Sequence, residues 1–333
     1  MASPAVGLLR FALVPLAAAA LTLGSAGAGT LDALKQAKTI RLAVRDDAPP
    51  YSYKDKTGQP AGFMVDLCRA VVKHIASDLG LDELKIVYVP VTAADRFDAI
   101  QGGKADLLCE PTSETLSRRG QVDFSIPTFV DGASLMVKGD GPSQFGALAG
   151  KKIGVLAGTT TEQGLRAALD VANIKADVVP AKTHAEGIKM LDAGDVAAYF
   201  GDRAILGYFA AASGEADKLR VADQYLSIEP YALALPRGDS DFRLAGRPTA
   251  SHIYKSGEIA TVFATAFGVH TARRTCEWHH LAPARILIAL PATPVRVTTE
   301  MAACSSISIL ARRVSGRVSV GLNAKLVVKA TNK

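Results

Sequence analysis

The chain has 333 residues, of which 49% are hydrophobic, 21% charged and 6% aromatic. That balance excludes intrinsic disorder and fibrous repeats, and the length predicts about two domains. The net charge of +6 belongs to the C-terminal end, because residues 269–333 hold 10 Lys+Arg against 2 Asp+Glu and residues 1–268 therefore carry −2. The main body thus has no basic footprint for nucleic acid.

Residues 1–28 contain no acid, one Arg (Arg10), an apolar stretch from Phe11 to Leu23, and the small residues Ala26 and Ala28. This is the pattern of a secretory signal peptide cleaved after Ala28. A transmembrane anchor needs about 20 apolar residues, more than this run supplies, so an exported, soluble mature chain is expected.

Residues 40–44 read as a strand, and 46–59, rich in Asp, Pro, Lys and Tyr, as a loop. Phe63, Leu67, Ala70, Val71 and Ile75 recur at helical spacing, with Gly80 placed to end the helix. A strand over 84–91, a helix over 94–101 stopped by Gly102 and Gly103, and a strand over 105–109 follow. A further strand, 150–158, leads into Thr159 and Glu162, which have the spacing of a capping box. Residues 188–193 and 196–200 repeat the helix-glycine-strand pattern of 97–106. Two similar lobes of α/β architecture, each with a mostly parallel sheet, are the simplest inference.

Four cysteines are present: Cys68, Cys109, Cys276 and Cys304. An oxidising compartment permits bridges, and Cys68 with Cys109 is the expected pair, the alternative being two buried thiols. Cys276, His279 and His280 lack a fourth ligand at useful spacing, so no metal site is assigned.

In open α/β sheets ligands collect outside the carboxyl ends of the strands. That rule selects Arg45, Thr112, Arg118, the turn at Thr159 and Thr160, and Asp202. Together they match a zwitterion. An α-carboxylate needs a bidentate Arg and free backbone N–H groups, and an α-ammonium needs an ionised acceptor. Arg118, Thr112, Thr159 and Thr160 suit the first and Asp202 the second. Arg45, Arg96 and His184 are then surplus positive groups suited to an acidic side chain. Each has a plainer alternative: Arg118 could pair with Glu114 on an exposed helix, Asp202 could cap the next helix, and His184 could be a surface residue.

These segments resemble the family 3 solute-binding proteins, the periplasmic amino-acid receptors of ABC importers, and most of all their glutamate/aspartate branch. The resemblance spans residues 40–268. It is carried by Arg45-Asp46-Asp47-Ala48-Pro49-Pro50-Tyr51, Gly62-Phe63-Met64-Val65-Asp66-Leu67, Asp106-Leu107-Leu108-Cys109-Glu110-Pro111-Thr112, Ser117-Arg118-Arg119, Gly158-Thr159-Thr160, Ala181-Lys182-Thr183-His184 and Gly201-Asp202. It implies a two-lobe, type II periplasmic-binding-protein fold with the ligand cleft between lobes. Thr112, Arg118, Thr160 and Asp202 would hold the amino-acid backbone, and Arg45, Arg96 and His184 would face an acidic side chain. It also implies crossings near 134–138 and 230–235, giving a first lobe of 30–134 plus 236–268 and a second of 138–230. The expected partners are an amino acid and an inner-membrane ABC permease. The expected protein is a periplasmic monomer without cofactor, metal, nucleic acid or catalytic residue.

Met64, Pro111 and Ala93 depart from the family pattern. Gly246-Arg247-Pro248 is expected to interrupt a helix over 242–254, since Pro in a helix interior costs about 3 kcal/mol. The basic tail, 269–333, changes composition abruptly and fits a reading-frame slip, the rival being a basic arm for anionic surfaces. The alternative function is a periplasmic dehydratase of the cyclohexadienyl type on the same fold, with Glu110 or His184 as acid or base.

Overall fold

The computed structural model describes residues 29–214 and 218–267 and the backbone of four short strands beyond them; of residues 246–250 it describes the backbone alone. The expected signal peptide and the Cys276, His279 and His280 group lie outside the described residues. So does most of the 269–333 tail. Within it, Leu287–Leu290 pairs antiparallel with Thr293–Arg296, and Leu310–Val314 with Arg317–Gly321. Among the described residues no helix is long and apolar enough to cross a membrane.

Two five-stranded sheets organise the chain. The first runs in the order Lys85–Val91, Thr39–Arg45, Leu107–Leu108, Glu229–Leu235, Asp123–Asp131, and the second Asp177–Ala181, Lys152–Leu156, Ala198–Asp202, Ala133–Lys138, Leu219–Val221. In each, the strand next to the parallel set is antiparallel, and it is the first strand laid down after the chain changes sheets. Helices between parallel strands cover the faces, as such crossovers require.

Each sheet is buried on both faces. Leu42, Val44, Leu67, Val71, Ile75 and Leu233 meet on one face of the first sheet, and Ala43, Ile100, Leu108 and Ala234 on the other. The helix Phe63–Asp78 supplies Phe63, Leu67, Val71 and Ile75 to that core from the apolar stripe visible in its sequence. Its Cys68 is joined to Cys109 at the end of Leu107–Leu108, with Cα atoms 6.1 Å apart.

Three expectations are corrected. The crossings fall earlier than 134–138 and 230–235. Ala133–Lys138 already belongs to the second sheet and Glu229–Leu235 already belongs to the first, so the chain crosses at Gly132 and over residues 222–228. Gly132 is required there: a Cβ would sit 2.5 Å from the Tyr225 ring and 2.7 Å from the Ser227 carbonyl oxygen, because the two crossings run side by side. The helix Ser240–Ser256 is continuous through Gly246-Arg247-Pro248. Anchors at its two ends carry it past the proline, namely the Asp239 cap on the Phe242 N–H and the buried Phe242 and Ile253.

Candidate ligand-binding site

Strand ends from both sheets meet in one cavity. Arg45, Arg96, Pro111, Ser113 and Arg118 line it from the first sheet, and Thr159, Thr160, Thr161, His184 and Asp202 from the second. The two walls touch. The Arg96 guanidinium donates to the Gly158 carbonyl at 3.5 Å, the His184 backbone N–H to Asp47 Oδ2 at 3.3 Å, and Thr160 Oγ1 to Glu229 Oε2 at 2.8 Å. This is the closed arrangement of the two lobes.

Arg118 starts a short 3₁₀ turn, Arg118–Gly120. The alternative pairing with Glu114 is made instead by its neighbour Arg119, whose Nε donates to Glu114 Oε1 at 2.8 Å. Arg118 is left to fold inward, buried, with Nη1 donating to the Ser113 carbonyl at 2.8 Å and the guanidinium 5.4 Å from the centre of the Phe97 ring. The Arg96 guanidinium sits over the same ring at 4.7 Å. Burial, with the Arg96 charge adding to it, lowers the Arg118 pKa to about 10.

Asp202 closes the strand Ala198–Asp202 and occupies the N-cap position of the helix Arg203–Ala212, yet its side chain makes no capping bond. It accepts from Thr161 Oγ1 at 3.1 Å instead. Burial, reinforced by the nearby Asp131, raises its pKa to about 7. The site therefore holds a desolvated cation and a desolvated carboxylate, and each is displaced toward its neutral form.

The turn before Thr160–Val171 works as its sequence predicts. Thr159 Oγ1 accepts from the Glu162 N–H at 3.1 Å, while the Glu162 carboxylate reaches back to the Gly158 N–H at 2.9 Å. The start of that helix is thereby fixed at the cavity. His184 opens the helix His184–Ala193, capped by Thr183. Its Nδ1 lies 3.1 Å from the Tyr199 hydroxyl. That contact needs Gly187, since a Cβ there would lie 1.9 Å from a Tyr199 ring carbon. Burial, then the charge of Arg45, lowers the His184 pKa to about 3, so the ring is neutral near pH 7. The expectation of a positive His184 is corrected on this point.

A family model described as bacterial extracellular solute-binding proteins, family 3, matches residues 40–269. The chain belongs to that family. This solute-binding protein is similar, at 32% identity over 261 residues, to the L-glutamate/L-aspartate-binding protein of Pseudomonas aeruginosa, with 78% of this chain and 86% of the relative covered. It is also similar, at 28% identity over the same length and the same shares of both chains, to the glutamate/aspartate import solute-binding protein of Escherichia coli. Among solved structures it resembles an ancestral amino acid-binding protein described as a precursor of cyclohexadienyl dehydratase. There the TM-score is 0.63 and the identity 28%, covering 72% of this chain and 99% of the other.

The structure of the solute-binding protein separates neighbours that its sequence could not. Thr112 was expected at the ligand, but it is fully buried with its hydroxyl unpartnered among the described residues, and the cavity wall is made by Pro111 and Ser113. The reason is a period of two: Ser113 bridges Tyr231, and Thr112 O accepts from the Ala232 N–H at 3.0 Å, so the segment is extended and its side chains alternate. Of the departures from family pattern, Pro111 lines the cavity and the Ala93 carbonyl receives the Arg96 Nη1 donor. Met64 is fully buried in the core of the first lobe.

Two carboxylates outside the expected ligand set complete the site: Glu110, expected only as an acid or base of the alternative enzyme, and Glu229, for which no role was expected. Glu229 accepts from Ser113 on the first lobe and Thr160 on the second, and from Ser227 Oγ at 2.6 Å. Glu110, fully buried, lies 3.6 Å from Arg45 Nη1 and 3.4 Å from Arg96 Nε.

Proposed function

We propose that this solute-binding protein captures an acidic amino acid, glutamate or aspartate, in the periplasm and presents it in the closed form to an ABC permease. The observation that carries the reading is the pair of uncompensated opposite charges in one cavity. Neither Arg118 nor Asp202 has an ion-pair partner among the described residues: Arg118 donates to the Ser113 carbonyl, and Asp202 accepts from the Thr161 hydroxyl while burial disfavours its charge. A zwitterion relieves both at once. Its carboxylate takes the free N–H groups of Arg118 and the amides at the start of Thr160–Val171, and its ammonium takes Asp202.

A side-chain carboxylate would then meet donors of Arg45, Arg96 and the neutral His184 ring. Because Arg118 and Asp202 come from different lobes, a ligand gripped by both favours closure. The two named relatives give the same ligand class for their own chains. Thermal unfolding of the mature protein tests the reading, with about 2.7 kcal/mol of stabilisation expected at 100-fold excess of ligand over Kd. Shifts with glutamate and aspartate are the expected result. Turnover of prephenate without any such shift would favour a dehydratase.

A further inference from the structure

We propose that Glu110 is a specificity-determining residue that acts through Arg45 and Arg96, setting how strongly the pocket prefers a side-chain carboxylate over a side-chain amide. The inference rests on the amino-acid reading above and deepens it. Glu110 follows Cys109, which the disulfide ties to the helix Phe63–Asp78, so its backbone is fixed behind the cavity wall. Its side chain is fully buried, and neither carboxylate oxygen accepts a hydrogen bond among the described residues. Its contacts are the ion pairs to Arg45 and Arg96 at 3.6 and 3.4 Å. An isolated buried carboxylate is costly, so this one is held by the field of the two guanidiniums.

Glu110 in turn takes charge away from the pocket. Arg45 also faces Asp47 at 2.7 Å, so two cavity-facing cations share two carboxylates placed behind or beside them. An incoming side chain still finds guanidinium N–H donors, and a carboxylate or an amide oxygen can accept from them. What distinguishes the two ligands is the long-range attraction of a full negative charge, and Glu110 opposes that attraction at close quarters. The resident carboxylate therefore narrows the gap between an acidic amino acid and its amide without touching either.

Calorimetric titration of the parent and of Glu110→Gln with glutamate, glutamine, aspartate and asparagine tests this. The acid-to-amide affinity ratio is expected to rise by about tenfold or more in Glu110→Gln, mostly through tighter binding of the acid. A purely structural role for Glu110 changes stability and leaves that ratio alone, so a ratio within about twofold of the parent's overturns the proposal. If Glu110→Gln does not fold, Asp47→Asn, which removes the other countercharge of Arg45, must move the ratio in the same direction, and an unchanged ratio overturns it equally. A parent that binds none of the four ligands sinks the amino-acid reading and this inference together. A parent that binds them, with ratios insensitive to both variants, sinks this inference alone.

Discussion

Arg118 and Asp202 reach one cavity from different sheets, and burial drives both toward neutrality, the guanidinium to a pKa of about 10 and the carboxylate to about 7. A site in this condition stores unfavourable charge burial that a zwitterion can relieve, and that is the physical basis of recognition here.

Truncating either group should remove most of the affinity. Losing one member of a buried, hydrogen-bonded charge pair costs about 2–5 kcal/mol, so Arg118→Ala and Asp202→Ala should each weaken amino-acid binding by at least about thirtyfold in calorimetry. Retention of parental affinity by Asp202→Ala would place the ammonium elsewhere.

Acid should weaken binding through Asp202. A ligand ammonium favours the carboxylate, so binding lowers this pKa from about 7 and expels a proton below that pH. Affinity should then fall by about tenfold per unit of acidification below about pH 7. The slope should vanish in Asp202→Asn.

The same shift predicts opposed effects on stability and function. Because the folded pKa of Asp202 is raised above 3.8, the ligand-free fold binds this proton more tightly than the unfolded chain. Its contribution is favourable in acid and is lost as pH rises through about 7. His184 acts oppositely: with a pKa lowered from 6.5 to about 3, it removes stability as pH falls below about 6.5. The difference between parent and Asp202→Asn isolates the first effect. Asp202→Asn should melt higher than ligand-free parent at pH 8 and be stabilised less than the parent by a given concentration of glutamate.

Gly187→Ala should damage the site from behind. The added methyl would overlap the Tyr199 ring and push the helix His184–Ala193 off its sheet. Overpacking of this kind costs about 1–3 kcal/mol, and denaturant midpoints should show it together with weaker ligand binding.

Reduction of Cys68–Cys109 should be costly as well. The bridge closes a separation of 41 residues, for which loop-closure entropy gives about 4 kcal/mol. A reductant-treated sample should unfold at correspondingly lower denaturant if the bridge has that worth, and an unchanged midpoint would show that it does not.

Much of this was legible in the sequence, because helix stripes, glycine stops and capping residues are local signals. Thr159 with Glu162 announces the helix start, and the apolar stripe from Phe63 to Ile75 announces the core face. What was not legible depends on contacts made far along the chain. Thr112 and Ser113 are both small hydroxyl residues, and only pairing with Tyr231 and Ala232 decides which one faces the cavity. Glu114 has two arginines within reach, and the choice of Arg119 frees Arg118. Glu229 gains its role from a strand that returns to the first sheet after a long excursion, a relationship with no local trace. The alternation of Pro111 and Ser113 about Thr112 was the one available signal for the corrected residue, and it depends on the segment running extended beyond the strand expected over 105–109.

The joint countercharge of Arg118 and Asp202 is tested most directly by titrating glutamate at pH 8 into the parent, the two single variants Arg118→Ala and Asp202→Ala, and the double variant. Tight binding by the parent, with losses in the singles that do not add in the double, is expected of two groups gripping one ligand. Undiminished binding in either single variant would contradict it.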